Sequence, residues 1–373
     1  MDQDGGDRWL RVARRLRREG RLEEALSSLP AHGDPQADGL RLQLFADLDD
    51  NERLQDAVRR SIKRLPEVAP AAHADYLTLL CRQVGLSGQN NHWQGVFLAR
   101  TAAAAAQSPE LRAACEALRR RRSFAQQIGE RFEGRATLIS LGLNCMPWTL
   151  PNRWGLRSPE AFVSDFTPFA YGVHKMKMLY LALESDFEGY LDAKKLMPVE
   201  TKGGHLMAMS TDLNATWNHN LGPYWLKHDF RRLREAGARK ADNFRRACRA
   251  DDAVFLIGKA PIDYPAEPVD FIDSLNGMLE PFTGRPRNRL VLWNEYAETA
   301  GRFTVDPWTV VLNCPYPSGD YIWYDDESAD SPDALAYEQS CAEGTVDRLC
   351  EWGLLRPRPS ATEGAARAVA ALD

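Results

Sequence analysis

Four short apolar runs constrain this chain more than anything else in it: "TLISLG" (137–142), "AVFLIGK" (253–259), "RLVLWNEY" (289–296) and "TVVLNC" (309–314). Each is bounded by turn residues and hydrophobic at odd and even positions alike, the pattern of strands covered on both faces. Helical stretches over 158–185, 229–251 and 268–282 separate most of them, and a last one over 331–354 begins behind Asp330 and Ser331. Such alternation predicts an α/β domain with a mainly parallel sheet and flanking helices.

The first third reads differently. In "WLRVARRLRREGRLEEALSSL", Trp9, Val12, Leu16, Leu22, Ala25 and Leu29, with small Ala13 and a turn at Gly20, fall where a tetratricopeptide helix pair wants them. A poorer copy over 44–67 puts Ala57 one repeat period after Ala25 but lacks the turn glycine. A third helical stretch follows Ser108 and Pro109, an N-cap and first-turn pair. A chain of 373 residues suits two domains. We expect an all-helical, repeat-like domain over 1–133, an α/β domain over 134–355 and a mobile tail over 356–373. The helical domain either offers a groove to a protein or peptide partner or caps the second domain. Arg119 to Arg122, spread around a helix axis, reads as a solvated face.

Composition excludes several classes. A formal net charge of −5 argues against gripping nucleic acid. The charged first twenty residues and the lack of a long apolar run predict a cytoplasmic chain with no membrane span. Seven cysteines without a CxxC pair signal neither a disulfide framework nor zinc. The acidic run 325–327 has no paired histidine, and no phosphate-binding glycine loop is present, so no metal or cofactor is expected.

Ligands of parallel sheets gather beyond the carboxyl ends of the strands. Here those ends carry Asn144 and Cys145, Lys259 and Asp263, Asn294 and Glu295, and Asn313 and Cys314. Cys145 stands out because a helix starting near Pro147 would aim positive partial charge at its sulfur and favour the thiolate. Asn144 beside it could offer an amide to an oxyanion. Cys81, Cys115, Cys248, Cys341 and Cys350 sit in helical patterns and read as buried fillers, and Cys314 as structural. Of four histidines in this domain, His174 lies in an apolar helical pattern, His205 sits unconstrained in a loop, and His228 falls near the start of a basic helix and reads as exposed. His219, between two asparagines beside Gly222 and Pro223, has the loop setting of a site residue, with Asp165, Asp229 or Asn220 as orienters.

The stretch "SLGLNCMPWTLPNRWGLRSPEAFVSDF" (140–166) resembles the opening of a bacterial domain family of unknown function described as papain-like cysteine peptidases. Members of that family begin with a strand, "SLG", a near-following cysteine and a downstream "GLR". "ATWNHNLGPYW" (215–225) and the basic helix "RKADNFRRA" (239–247) are similar to its later histidine block. The resemblance covers roughly Thr137 to Pro261 and on toward the last strands. It implies Cys145 as nucleophile and His219 as base. Asp165 aligns with an aspartate of a "PFDW"-like motif, which here reads "SDFTPF". It also implies thiol-dependent hydrolysis or acyl transfer on peptide or amide bonds, and a papain-like α+β fold as the alternative to α/β. Two other functions stay open. One is a non-catalytic protein-binding module. The other is a glycan-related hydrolase or transferase using Tyr316, Tyr321, Trp323 and Tyr324 near Asp325 and Asp326.

Overall fold

The computed structural model describes residues 6–358 apart from 32, 88, 191, 202–203, 211–214, 259–269, 296, 318–320 and 322–325. The chain opens with α1 (Gly6–Arg18), α2 (Leu22–Ser27), α3 (Pro35–Asp47), α4 (Asn51–Arg64), α5 (Ala74–Leu86), α6 (Asn91–Gln107) and α7 (Pro109–Arg131). Side-chain caps from Asp34, Asp50, Asn90 and Ser108 start α3, α4, α6 and α7. The turn after α1 closes with Gly20 at φ 71°, its N–H donating to the Arg17 carbonyl and that of Arg21 to Leu16. The end of α3 closes in the same way: Asp49 donates to Ala46 and Asp50 to Phe45. Asp49 there sits at φ 59°. The second copy therefore keeps the left-handed turn without its glycine, using one of the few other residue types that tolerate it.

There follow β1 (Phe132–Gly134), β2 (Thr137–Ser140), α8 (Met146–Arg153), α9 (Ala161–Ser164), α10 (Met176–Glu184), β3 (Leu196–Glu200), β4 (Leu206–Ser210), β5 (Ala215–Thr216) and α11 (Pro223–Cys248). The remainder is β6 (Ala253–Gly258), α12 (Asp270–Thr283), β7 (Arg289–Asn294), β8 (Gly301–Asp306), β9 (Thr309–Asn313), α13 (Asp326–Ala329), α14 (Pro332–Glu351) and β10 (Leu355–Pro357). The main sheet runs β2-β6-β7-β9-β8, its first four strands parallel and β8 antiparallel at the edge. Alternate residues serve two cores. Ile139, Phe255, Leu290 and Val311 pack with α10, α11 and α12 on one face. Leu138, Val254, Val291 and Val310 pack with α7, α8 and α14 on the other. The protein is thus mixed helix and sheet with mostly parallel strands, and the papain-like alternative gains no support from it.

Several expectations need correction. The pattern over 158–185 breaks into α9 and α10, because Thr167 and Pro168 fall between them and end the helix. A separate antiparallel sheet, β3-β4-β5, occupies a stretch not read as strands. Arg356 and Pro357 lie in β10 rather than in a mobile tail, and 359–373 lie outside the described residues. β1, which straddles the expected boundary at 133–134, pairs antiparallel with β10. α7 belongs to both parts: Leu111 and Leu118 pack into the helical core, while Ala117 and Phe124 cover the sheet. Arg121, expected on a solvated face, is buried and ion-paired to Glu338 of α14 at 3.0 Å. Among the described residues no helix is long and apolar enough to cross a membrane.

Candidate active site

The turn after β2 is shaped by what surrounds Pro147. A Cβ on Gly142 would lie 2.3 Å from the Asn144 carbonyl oxygen and 2.8 Å from the proline ring, and one on Gly258 would lie 2.9 Å from that ring. Only glycine at both strand ends leaves room for the helix to start there. Arg157 fastens the same turn from below. Its buried guanidinium donates to the carbonyls of Leu138 (2.8 Å), Trp148 (2.7 Å) and Pro147 (3.3 Å) and lies 4.3 Å from the Trp148 ring centre. Burial lowers its pKa to about 9, and no carboxylate hydrogen-bonds to it among the described residues. Arg157 therefore ties the backbone of β2 to the first turn of α8, and Cys145, at the N-cap, is held 3 % exposed.

From there the sulfur of Cys145 meets His219, with Sγ 3.0 Å from Nε2. His219 stands on the loop after β5, shaped by bonds from the Trp217 N–H to Ala208 and from the Gly222 N–H to Leu206. Its ring lies flat on that of Tyr171, centroids 4.3 Å apart and planes 16° from parallel. The other ring nitrogen has no hydrogen-bond partner among the described residues. None of the expected orienters reaches it. Asp165 ends α9 and accepts the Ser164 hydroxyl at 2.7 Å, Asp229 lies in a left-handed turn inside α11, and Asn220 donates its backbone N–H to the Trp217 carbonyl. Stacking on Tyr171 replaces the hydrogen bond that usually fixes such an imidazole.

Electrostatics correct a second expectation. Burial pushes the Cys145 thiol up to about 11, against a smaller opposite pull from the backbone N–H groups of Gly172 and of Cys145 itself. The helix start adds little because the Met146 N–H is taken by the Asn144 side-chain oxygen at 2.9 Å and Pro147 has none. Asn144, just before the N-cap, thus spends its side-chain oxygen on the first N–H of α8. Crowding lowers His219 to about 4, with Asp49 pulling it up and Lys240 pushing it down. His219 is nevertheless exposed as a residue, so water offsets part of that depression. The resting pair is a neutral thiol bonded to a neutral imidazole. Such a pair can pass a proton from sulfur to nitrogen as the sulfur attacks.

The remaining candidates lie elsewhere or in the core. His174 is buried, its Nε2 2.8 Å from the Tyr190 hydroxyl. His205 and His228 are exposed. Cys81, Cys115, Cys248, Cys314 and Cys341 are buried, and Cys350 is partly exposed. Asn294 donates to Asn313 across the ends of β7 and β9 at 3.1 Å. Tyr316 and Tyr321 pack on Tyr337 of α14, with centroids 5.5 and 5.7 Å away. Lys259, Asp263, Trp323, Tyr324 and Asp325 lie outside the described residues. Among the described residues no cluster of His, Cys, Asp or Glu is set to hold a metal ion. No protein-family model, curated protein or solved structure matches the chain.

The sequence reading missed Tyr171 and Arg157 as parts of this neighbourhood. Tyr171 carries no local signal. Arg157 was visible only as the last letter of "GLR".

Proposed function

We propose that the protein is a thiol-dependent hydrolase or acyl transferase acting on peptide or amide bonds, with Cys145 as nucleophile and His219 as base. The observation that carries this is the 3.0 Å contact between Sγ and Nε2 at the end of a parallel strand. As the sulfur attacks the acyl carbon, His219 takes the thiol proton. The backbone N–H groups of Cys145 and Gly172, already directed at the sulfur, stand beside the developing oxyanion with the Asn144 amide. His219 then gives the proton to the departing amine, leaving a thioester on Cys145. Water or an acceptor amine loses a proton to His219, attacks the thioester and restores the thiol. The resemblance of "SLGLNC" and "GLR" to the papain-like family supports the same assignment of roles.

One observation favours a second reading, a non-catalytic binding module: Cys145 is 3 % exposed, as an apolar filler would be. Incubation with a peptide library and with activated esters, followed by mass spectrometry of the Cys145 peptide, separates the two. The hydrolase reading expects an acyl adduct on Cys145 that is lost in His219→Ala. A folded protein that forms no adduct with any of these substrates supports the binding module.

A further inference from the structure

The small sheet β3-β4-β5 has two unlike faces. Leu196, Ala208 and Ala215 are buried on one of them, in the core that also holds α10 and α11. The register builds the other. Met197 pairs with Met209, Met209 with Thr216, and Thr216 with Val173 through an isolated bridge, so these four side chains form one row across the strands. Val199 and Met207, paired two residues further along, begin a second row beside it. Among the described residues none of the five apolar side chains in these rows joins a core cluster, and Val173 and Met197 are 46 % and 40 % exposed.

The first row ends at the candidate active site. Val173 and Thr216 exchange both backbone hydrogen bonds at 3.0 Å, and the two arms of the site leave from that bridge. On one side, Val173 is two residues from Tyr171, whose ring carries that of His219, and next to His174, whose N–H donates at 2.9 Å to the carbonyl of Leu143, two residues before Cys145. On the other, Thr216 stands three residues before His219 itself. A sheet face that only meets water is normally polar, yet this one holds three of the eight methionines of the chain. Methionine is flexible and polarizable, and an exposed apolar patch of it suits a surface that takes varied apolar partners.

We propose that this face is the substrate surface of the Cys145–His219 site and that the substrate is an extended peptide segment with large apolar side chains. This rests on the reading of the pair given above. Across its strands the row from Val173 to Met197 spans about 14 Å, the length of about four extended residues. The six side chains carry no charge, so an acidic or basic segment would give up hydration without gaining a partner. The Thr216 hydroxyl, within the row, is a polar point that a peptide backbone can use and an alkyl chain cannot.

The test uses NMR of the full chain with carbon-labelled methionine methyls, assigned by replacing each methionine with leucine in turn. Two acetyl-tetrapeptide amides are titrated in, identical except that one carries a pair of leucines where the other carries glutamates. The leucine peptide is expected to shift the methyls of Met197, Met207 and Met209 but not that of buried Met178, and the glutamate peptide to shift none of them. Absence of those shifts, or equal shifts with both peptides, overturns the proposal. So does a decanoyl amide that shifts the three methyls where the leucine peptide does not. Nitrophenyl esters of the same peptides then tie the face to the chemistry: the leucine ester should acylate Cys145 about tenfold or more faster than the glutamate ester, the worth of apolar contact at a specificity site. In Met209→Lys, or in Met197→Lys should the first variant not fold, that ratio should fall about tenfold, and an unchanged ratio overturns the proposal. If neither ester acylates Cys145 while the three methyls still shift, the hydrolase reading fails and the face stands as a peptide-binding surface.

Discussion

The ring of Tyr171 lies within 16° of parallel to that of His219 with centroids 4.3 Å apart, and this stack, with no hydrogen bond to the far ring nitrogen among the described residues, sets the plane of the imidazole. Tyr171→Phe keeps the stack and should leave the rate of Cys145 alkylation at neutral pH within about twofold. Tyr171→Ala frees the ring to rotate and should lower that rate by up to about tenfold, the worth of an aromatic pair. Peptide mapping after timed alkylation reads both. Equal rates in all three proteins would show that something else holds His219.

Arg157 presents a different kind of dependence. Its guanidinium donates to three buried carbonyls that span β2 and α8, so Arg157→Met takes a donor from each, the Trp148 oxygen alone keeping one from the Asn152 side chain. A loss of about 3–5 kcal/mol in urea unfolding is expected, a few unsatisfied groups at about 1–3 kcal/mol each with some relaxation. Arg157→Lys should recover only part, because an ammonium cannot reach three divergent carbonyls from one plane. A loss below about 1 kcal/mol for Arg157→Met would mean that water replaces the guanidinium.

What the sequence shows of this molecule is mostly local. The four parallel strands are legible because each alternates between two cores, which leaves apolar residues at both parities. The strand, glycine and cysteine turn is legible for the same reason, since Gly142 and Pro147 act within a few residues of each other. β3 and β4 are not, because "LMPVE" and "LMAMS" carry proline and methionines where β-branched residues would signal a strand. Tyr171 comes to His219 from a distant segment with no shared pattern. The thiolate expectation failed for a related reason: a helix start is visible in sequence, but the burial that outweighs it depends on Arg157, Gly258 and the packing of α7 and α14.

Buried His174 makes stability depend on acid. Burial lowers its pKa from 6.5 to about 4, so the unfolded chain binds that proton first. Stability should be full above pH 6.5 and fall as pH drops toward 4, by about 2 kcal/mol near pH 4.5. His219 acts in the same direction, weakened by the residue's exposure to water. Melting temperatures from pH 7.5 to 4.5 for the native protein and His174→Gln measure this, and the variant should show a clearly flatter acid side. Identical slopes would mean that His174 is already protonated in the folded protein.

The central claim is that Cys145 and His219 work as one unit, and the most direct measurement is the alkylation rate of Cys145 at pH 7 with and without the histidine. Partly exposed Cys350 in the same digest provides an internal reference. With a thiol pushed up to about 11 by burial, Cys145 has little thiolate of its own at neutral pH, so its reactivity must come through proton transfer to Nε2. The account predicts that His219→Ala slows Cys145 by about tenfold or more relative to Cys350, within the range expected for a lost general base. An unchanged ratio of the two rates in a folded His219→Ala protein would contradict it.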